Sequence, residues 1–281
     1  MSKVWDEIVT EVERLKSEIS EPGYATIWYR GHSKVDWKCS STLHRHVDDF
    51  MARCELSGDK SWKIGLFRTV NHTLYHKFVI RASHLLEPIE RSKWGVIFAM
   101  RHHGFLTRLL DWTESFACAL HFAQCDTQMK EDAAIYLLNP QFLNHITCGR
   151  KGLVALHQAD SGPTNLDPDL WHPAYDSQAT LETIAVAPVF TNRRMIAQKC
   201  AFTISGDSFQ SLEDRFPTCV RKLIVPADAR DEGRIFLDLA GASQFAYFPD
   251  LEGLRLEFSD MLEKEVQDLR KLKSQSTSAP E

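Results

Sequence analysis

The chain has 281 residues, enough for one large domain or two small ones. A hydrophobic content of 43% and a charged content of 25% exclude a disordered, collagen-like or membrane-bundle chain, and no apolar run approaches the ~20 residues of a membrane span. The formal net charge of −5 argues against a surface that holds nucleic acid wholly through phosphates, while leaving room for a local basic groove.

The first residues, MSKVWDE, lead into an acidic helix where a secretion signal needs an apolar stretch. Seven scattered cysteines without a CxxC pair fit reduced thiols, so the expected location is the cytoplasm, with no membrane partner. Residues 4–19 repeat Trp5, Ile8, Val12, Leu15 and Ile19 at helical spacing, and Pro22-Gly23 breaks the chain. A short β-rich run from Ala25 to Tyr29 then ends at Arg30-Gly31-His32. A long helix is predicted from Ile64 to Leu86, and a second from Trp94 to His103 with Gly104 as its cap.

Thr107 to Thr113 reads as extended or loop-like, followed by a small-residue helix from Glu114 to Gln124. Ala133 to Leu138 is a strand closed by Asn139-Pro140, and 158–180 is a long loop rich in Gly and Pro. Strands are predicted at Thr183–Val189, Cys200–Ser205 and Cys219–Val225, a helix at Asp228–Leu239, an extended piece at Phe245–Phe248 and an amphipathic helix at Leu254–Leu272 before a polar tail. Helices in the first half with strands clustered in the second point to an α+β domain, a mixed β core with flanking helices and an N-terminal helix.

GxxxxGK[ST], GxGxxG after a strand, HExxH and GxSxG are all missing from the sequence. His72 and His76 share a helix face without a third ligand at a recognisable spacing, so no metal is expected. Three segments are harder to explain by packing alone. In Tyr29-Arg30-Gly31-His32, an arginine ends an apolar strand, and its guanidinium fork suits a diphosphate, while the glycine admits close approach of a backbone or a ligand. In Arg101–Thr113, two His, two Arg, one Asp and two Thr are threaded with Leu and Trp. They form either a buried Arg108–Asp111 pair pinning a loop or a hydrogen-bonding wall with a ring for stacking. The third, Asn192–Gln198, is a basic cluster leading into Ala201-Phe202-Thr203.

Taken together these segments resemble the FRG domain family, named for a Phe/Tyr-Arg-Gly motif, here Tyr29-Arg30-Gly31. The likeness continues through HHGFLTRLLDWT at 102–113, Ala117–Ala123, the Arg194…Gln198…Phe202 pattern and FPDLEGL at 248–254. It implies an N-terminal helix at 1–23, an FRG domain at 24–258, and a C-terminal helix and polar tail at 259–281. The arrangement looks like a diverged, single-domain ADP-ribosyltransferase. The implied co-substrate is NAD, and the implied role is a toxin or antiviral defence effector held by an antitoxin-like partner. The implied acceptor is a macromolecule, nucleic acid slightly before protein.

The resemblance gives Arg30, His102, Asp111, Thr113 and Gln244 as the catalytic set. It gives Tyr29, Arg30, Gly31, His32, Thr107, Arg108, Trp112 and Thr113 as cofactor contacts. Arg30 would bind phosphate, His32 or His102 ribose or phosphate, and Trp112 or Tyr29 would pack on nicotinamide. Where the transferase pattern expects a Glu on a late strand, residues 241–249 carry Gln244 and no acid before Asp250. Three explanations stand open: Asp111, Asp250 or Glu252 supplies the charge, Gln244 suffices, or the site binds without transferring. The alternatives to transfer are an NAD- or nucleotide-binding or protein-interaction module, and an NAD glycohydrolase.

Overall fold

The computed structural model describes residues 3–21, 23–56, 58–125, 131–156, 168–174 and 179–276. In chain order these form α1 (Lys3–Ile19), β1 (Trp28–His32), α2 (Thr42–Arg53), α3 (Lys60–Ala82), α4 (Lys93–His102) and β2 (Leu109–Thr113). Then come α5 (Phe116–Gln124), β3 (Ala133–Leu138), α6 (Pro140–Cys148), β4 (Val154–Ala155), β5 (Ile184–Ala187) and α7 (Arg193–Ala197). The remainder is β6 (Cys200–Ile204), α8 (Leu212–Arg215), β7 (Val220–Val225), α9 (Arg230–Leu239), α10 (Gln244–Tyr247) and α11 (Leu251–Ser276).

The seven strands form one mixed sheet in the order β4-β5-β6-β2-β1-β3-β7. Neighbours run antiparallel except β4 and β5. Strand alternation sends Tyr29, Ile135, Leu137, Leu223 and Val225 to one face, where Trp5, Ile8, Val12, Leu15 and Ile19 of α1 and the small residues of α5 cover them. Trp28, Leu110, Trp112, Tyr136 and Leu138 pack on the other face with Leu143 of α6 and Leu212 of α8. A third cluster joins Trp94, Ile97 and Phe98 of α4 to Leu109, Val186, Phe202 and Ile204. The N-terminal helix therefore belongs to the sheet's own core.

Gly31 explains how α5 comes so near β1. A Cβ on Gly31 would lie 1.9 Å from the Ala119 carbonyl oxygen and 2.7 Å from the Ala123 nitrogen. Only a glycine admits the helix backbone at that distance.

The mixed α+β architecture and the N-terminal helix agree with the sequence, and three local expectations do not. Phe245–Phe248 is not extended: Ser243 caps α10 by accepting from the Ala246 amide, and Gly241 makes the preceding turn at φ +64°. The last helix starts at Leu251, where Asp250 caps it by accepting from the Gly253 amide at 2.8 Å. Helices α2 and α6 stand where none is expected, α2 capped by Ser41 and α6 by Asn139 with Pro140 in its first turn. Of the loop predicted at 158–180, residues 158–167 and 175–178 lie outside the described residues, as does the tail from Thr277.

Candidate functional site

β1 pairs with β3 over five residues, yet it meets β2 at one register position, Tyr29 opposite Thr113. Beyond that point the two central strands part. Arg30 lies in the gap and donates from Nη1 to the Asp111 carbonyl oxygen at 2.7 Å, supplying the partner that a β1 amide would otherwise give. A cavity of about 360 Å³ opens there, lined by β1, β2, the end of α4, α5, α7 and the start of β6.

Arg30 is held from two further sides. Its Nε donates to His32 Nε2 at 2.8 Å, and Nη1 stands 3.6 Å from Asp111 Oδ2. The other His32 nitrogen, Nδ1, faces the Trp37 carbonyl at 3.1 Å. A carbonyl only accepts, so Nδ1 carries the proton and Nε2 offers its lone pair to Arg30. Burial, with Arg30 beside it, pulls the His32 pKa down to about 3.

Asp111 is gripped by Arg101, whose Nε donates to both carboxylate oxygens at 3.0 and 2.8 Å while Nη2 also reaches Oδ2. Burial pushes the Asp111 carboxyl up, but Arg101 and Arg30 outweigh it and hold the group below its ordinary range. A third guanidinium, Arg194, lies over the Phe248 ring at 4.1 Å. Asn192 caps α7 by accepting from the Met195 amide and so sets the start of the helix that carries Arg194. Three guanidiniums thus face one carboxylate among the lining residues. His102 lines the cavity as well, its pKa lowered by burial and then by Arg194, whereas His103 is exposed and lies off the lining.

The structure sorts the residues expected from sequence. Tyr29, Arg30, Gly31, His102, Asp111, Trp112 and Thr113 come together on the cavity wall. Two of these have their polar groups committed to the fold: Trp112 donates from Nε1 to Thr203 Oγ1 at 3.1 Å, and Thr113 Oγ1 donates to the Gln198 carbonyl at 2.6 Å. Both His32 nitrogens are engaged, so His32 positions Arg30 from beside the cavity instead of offering itself to a ligand.

Thr107 and Arg108 are not on the wall, and the expected Arg108–Asp111 pair does not form. Arg108 is buried and pairs with Asp207 at 3.1 Å, with its guanidinium 4.4 Å from the Phe67 ring. Arg108 precedes β2 and turns to Asp207 and the Ser205 carbonyl, away from Asp111 on the strand. The basic set divides accordingly: Arg101 and Arg194 line the cavity, Arg193 is exposed outside it, and Arg108 is sequestered.

Gln244 is a correction too. It does not sit on a strand or on the cavity wall; it begins α10, and its Oε1 lies 3.2 Å from His121 Nε2. The late strand beside β2 is β6, and Gln198, just before it, and Cys200, its first residue, line the cavity instead. Gln198 is buried and donates from Nε2 to the Tyr247 carbonyl at 3.0 Å. The Cys200 thiol is pushed up to about 12, by burial and then by the Asp111 charge, so it stays protonated at neutral pH. Asp250 and Glu252 also lie off the wall, which leaves Asp111 as the carboxylate of the cavity among the described residues.

His72 and His76 lie tilted against each other with ring centroids 4.2 Å apart, and among the described residues no group of three His, Cys, Asp or Glu side chains could hold a metal. No helix of the described residues is long and apolar enough to cross a membrane.

Residues 25–132 match the family model of the FRG domain. The match takes in β1, α2 to α5 and β2, and hence Arg30, Arg101, His102 and Asp111. The wall from Asn192 to Phe202 lies beyond it. No curated protein and no solved structure matches the chain.

Proposed function

We propose that this FRG-domain chain binds NAD in the cavity through its diphosphate and transfers ADP-ribose to a macromolecule. The observation that carries the proposal is the charge balance of the wall: Arg30, Arg101 and Arg194 against Asp111. Such a wall has two positive charges in excess, and a dinucleotide diphosphate bears two negative ones. The cavity volume of about 360 Å³ is at the lower end of small-molecule sites, which suits the diphosphate and one adjoining half of the ligand.

In this proposal the bond between nicotinamide nitrogen and ribose C1′ breaks with its electron pair leaving on nicotinamide. The oxocarbenium ion is met by the ionised Asp111, whose orientation Arg101 fixes. An acceptor oxygen or nitrogen then bonds to C1′ and loses its proton to His102, which burial keeps neutral. Nucleic acid is slightly favoured as acceptor, because the wall is basic while the whole chain is acidic. A toxin-like effector of this kind needs restraint, so an antitoxin-like protein is part of the proposal.

A second reading, binding without turnover, is favoured by the grip of Arg101 on both Asp111 oxygens and by the place of Gln244 outside the cavity. One experiment separates the readings. The full chain is incubated with NAD labelled in the adenylate and with RNA, DNA and protein fractions, beside an Arg194→Ala control. Label in one fraction, lost with Arg194→Ala, supports transfer and names the acceptor class. Free ADP-ribose alone points to hydrolysis. Intact NAD that raises the melting temperature points to binding only, and intact NAD that leaves it unmoved rejects the site.

A further inference from the structure

α11 has 26 residues and a length of about 39 Å, and only its first turns pack on the rest of the chain. Gly253 makes that root possible, since a Cβ there would lie 2.0 Å from the Phe248 carbonyl oxygen. From Asp260 onward every residue of α11 with a described side chain is exposed. This outer part is not polar all round. Phe258, Leu262, Val266 and Leu269 recur at spacings of four, four and three and form one stripe, with Met261 beside it. Leu262, Val266 and Leu269 are 57%, 47% and 65% exposed. A row of large apolar side chains left in water along a helix marks a docking surface.

The charges indicate what covers it. Glu263 and Glu265 flank the stripe toward the start of the outer part, and Arg270 and Lys273 lie toward its end. A parallel copy would set acid against acid and base against base. An antiparallel copy sets the acidic stretch of each helix on the basic end of the other, and the two-fold axis makes the arrangement complementary to itself.

We propose that α11 is a self-association surface, on which a second copy of this chain docks its own α11 antiparallel along the Phe258–Leu269 stripe. The seam from Phe258 to Lys273 is about 24 Å long. It is short for a two-helix interface, so the dimer is weak and forms with rising concentration across the micromolar range.

The test is sedimentation velocity on the full chain across that range, with circular dichroism to verify folding. Wild type passes from monomer to dimer. Leu262→Glu/Val266→Glu stays monomeric with an unchanged melting temperature, since both side chains are already in solvent. Glu263→Lys/Glu265→Lys also stays monomeric, and adding Arg270→Glu/Lys273→Glu to the same chain restores the dimer. That restoration is specific to antiparallel pairing, because a parallel dimer would still oppose like charges. Wild type that is monomeric throughout, a dimer indifferent to Leu262→Glu/Val266→Glu, or a charge-exchanged chain that fails to dimerise overturns the proposal.

Discussion

Arg30 donates from Nε to His32 Nε2 at 2.8 Å, two positions along the same strand. The bond fixes the guanidinium in the gap between β1 and β2, and it requires a neutral imidazole with the proton on Nδ1. Protonating Nε2 would turn two donors on each other, so His32 couples the order of the cavity to pH.

The sign of that coupling follows from the shift. The folded pKa of His32 is pulled to about 3 by burial and Arg30. An unfolded histidine titrates near ~6.5. The unfolded chain therefore takes up the proton first: stability from this group is complete above pH ~6.5 and is lost as pH falls toward ~3. His44, buried against Phe67 and also pulled to about 3 by burial and then Arg108, acts in the same direction. We expect His32→Gln, which keeps a donor for Trp37 and an acceptor for Arg30, to lose about 2 kcal/mol less than wild type between pH 6.5 and 4.5. Urea unfolding at the two pH values measures this, and parallel losses would show that folded His32 protonates normally.

Asp111 is a third exposed, and two arginines converge on it. Asp111→Asn leaves Arg30 and Arg101 facing each other without their anion. The expected loss is about 2 kcal/mol, below that of a wholly buried pair because the cavity admits water. Adding Arg101→Met should recover part of it, and thermal melts of the two singles and the double give the coupling. Simple additivity would mean that the ion pair contributes nothing to stability.

How far the sequence reveals this arrangement depends on the range of each interaction. The stripe of α1, the stop of α4 at Gly104 with φ +79° and the strand at Ala133–Leu138 are local patterns and legible as such. Arg30 and Asp111 stand out because a charge in an apolar strand needs a reason. The partners were not legible. Proximity along the chain suggests pairing Arg108 with Asp111, whereas the acid that takes Arg108 is 99 residues away. Arg194 and Gln198 reach the cavity only because β6 docks beside β2. Some misses had local signals: Ser41 before Leu43, Val47 and Met51 announces α2, and Ser243 after Gly241 announces a helical turn where an extended piece is expected.

Gly31 bears on the fold more directly than on any ligand. Its missing Cβ is what lets the Ala119 carbonyl and the Ala123 amide lie against β1. Both obstructions are backbone, so Gly31→Ala must push α5 off the sheet, with an expected loss of about 3 kcal/mol. The melting temperature of the purified variant, or its failure to accumulate in soluble form, checks this. A stable Gly31→Ala protein would mean that α5 sits farther from β1.

Arg194 offers the cleanest test of anion binding. Arg30 cannot serve alone, because His32, the Asp111 carbonyl and the Asp111 carboxylate all depend on it. Arg194 lines the cavity from α7 with its guanidinium over Phe248, a contact worth about 0.5–1 kcal/mol at a partly exposed site. We expect Arg194→Ala to melt close to wild type and to bind NAD or ADP-ribose roughly 10- to 100-fold more weakly, the range for one lost charge-assisted contact. Adenosine, which has no phosphate, should distinguish the two proteins little, and added salt should weaken wild-type binding more than that of the variant. Calorimetric titration of the three ligands at two salt concentrations reads all of this. Equal losses for adenosine and ADP-ribose would place Arg194 on the base or the sugar, and an unchanged affinity for ADP-ribose would remove it from the diphosphate site.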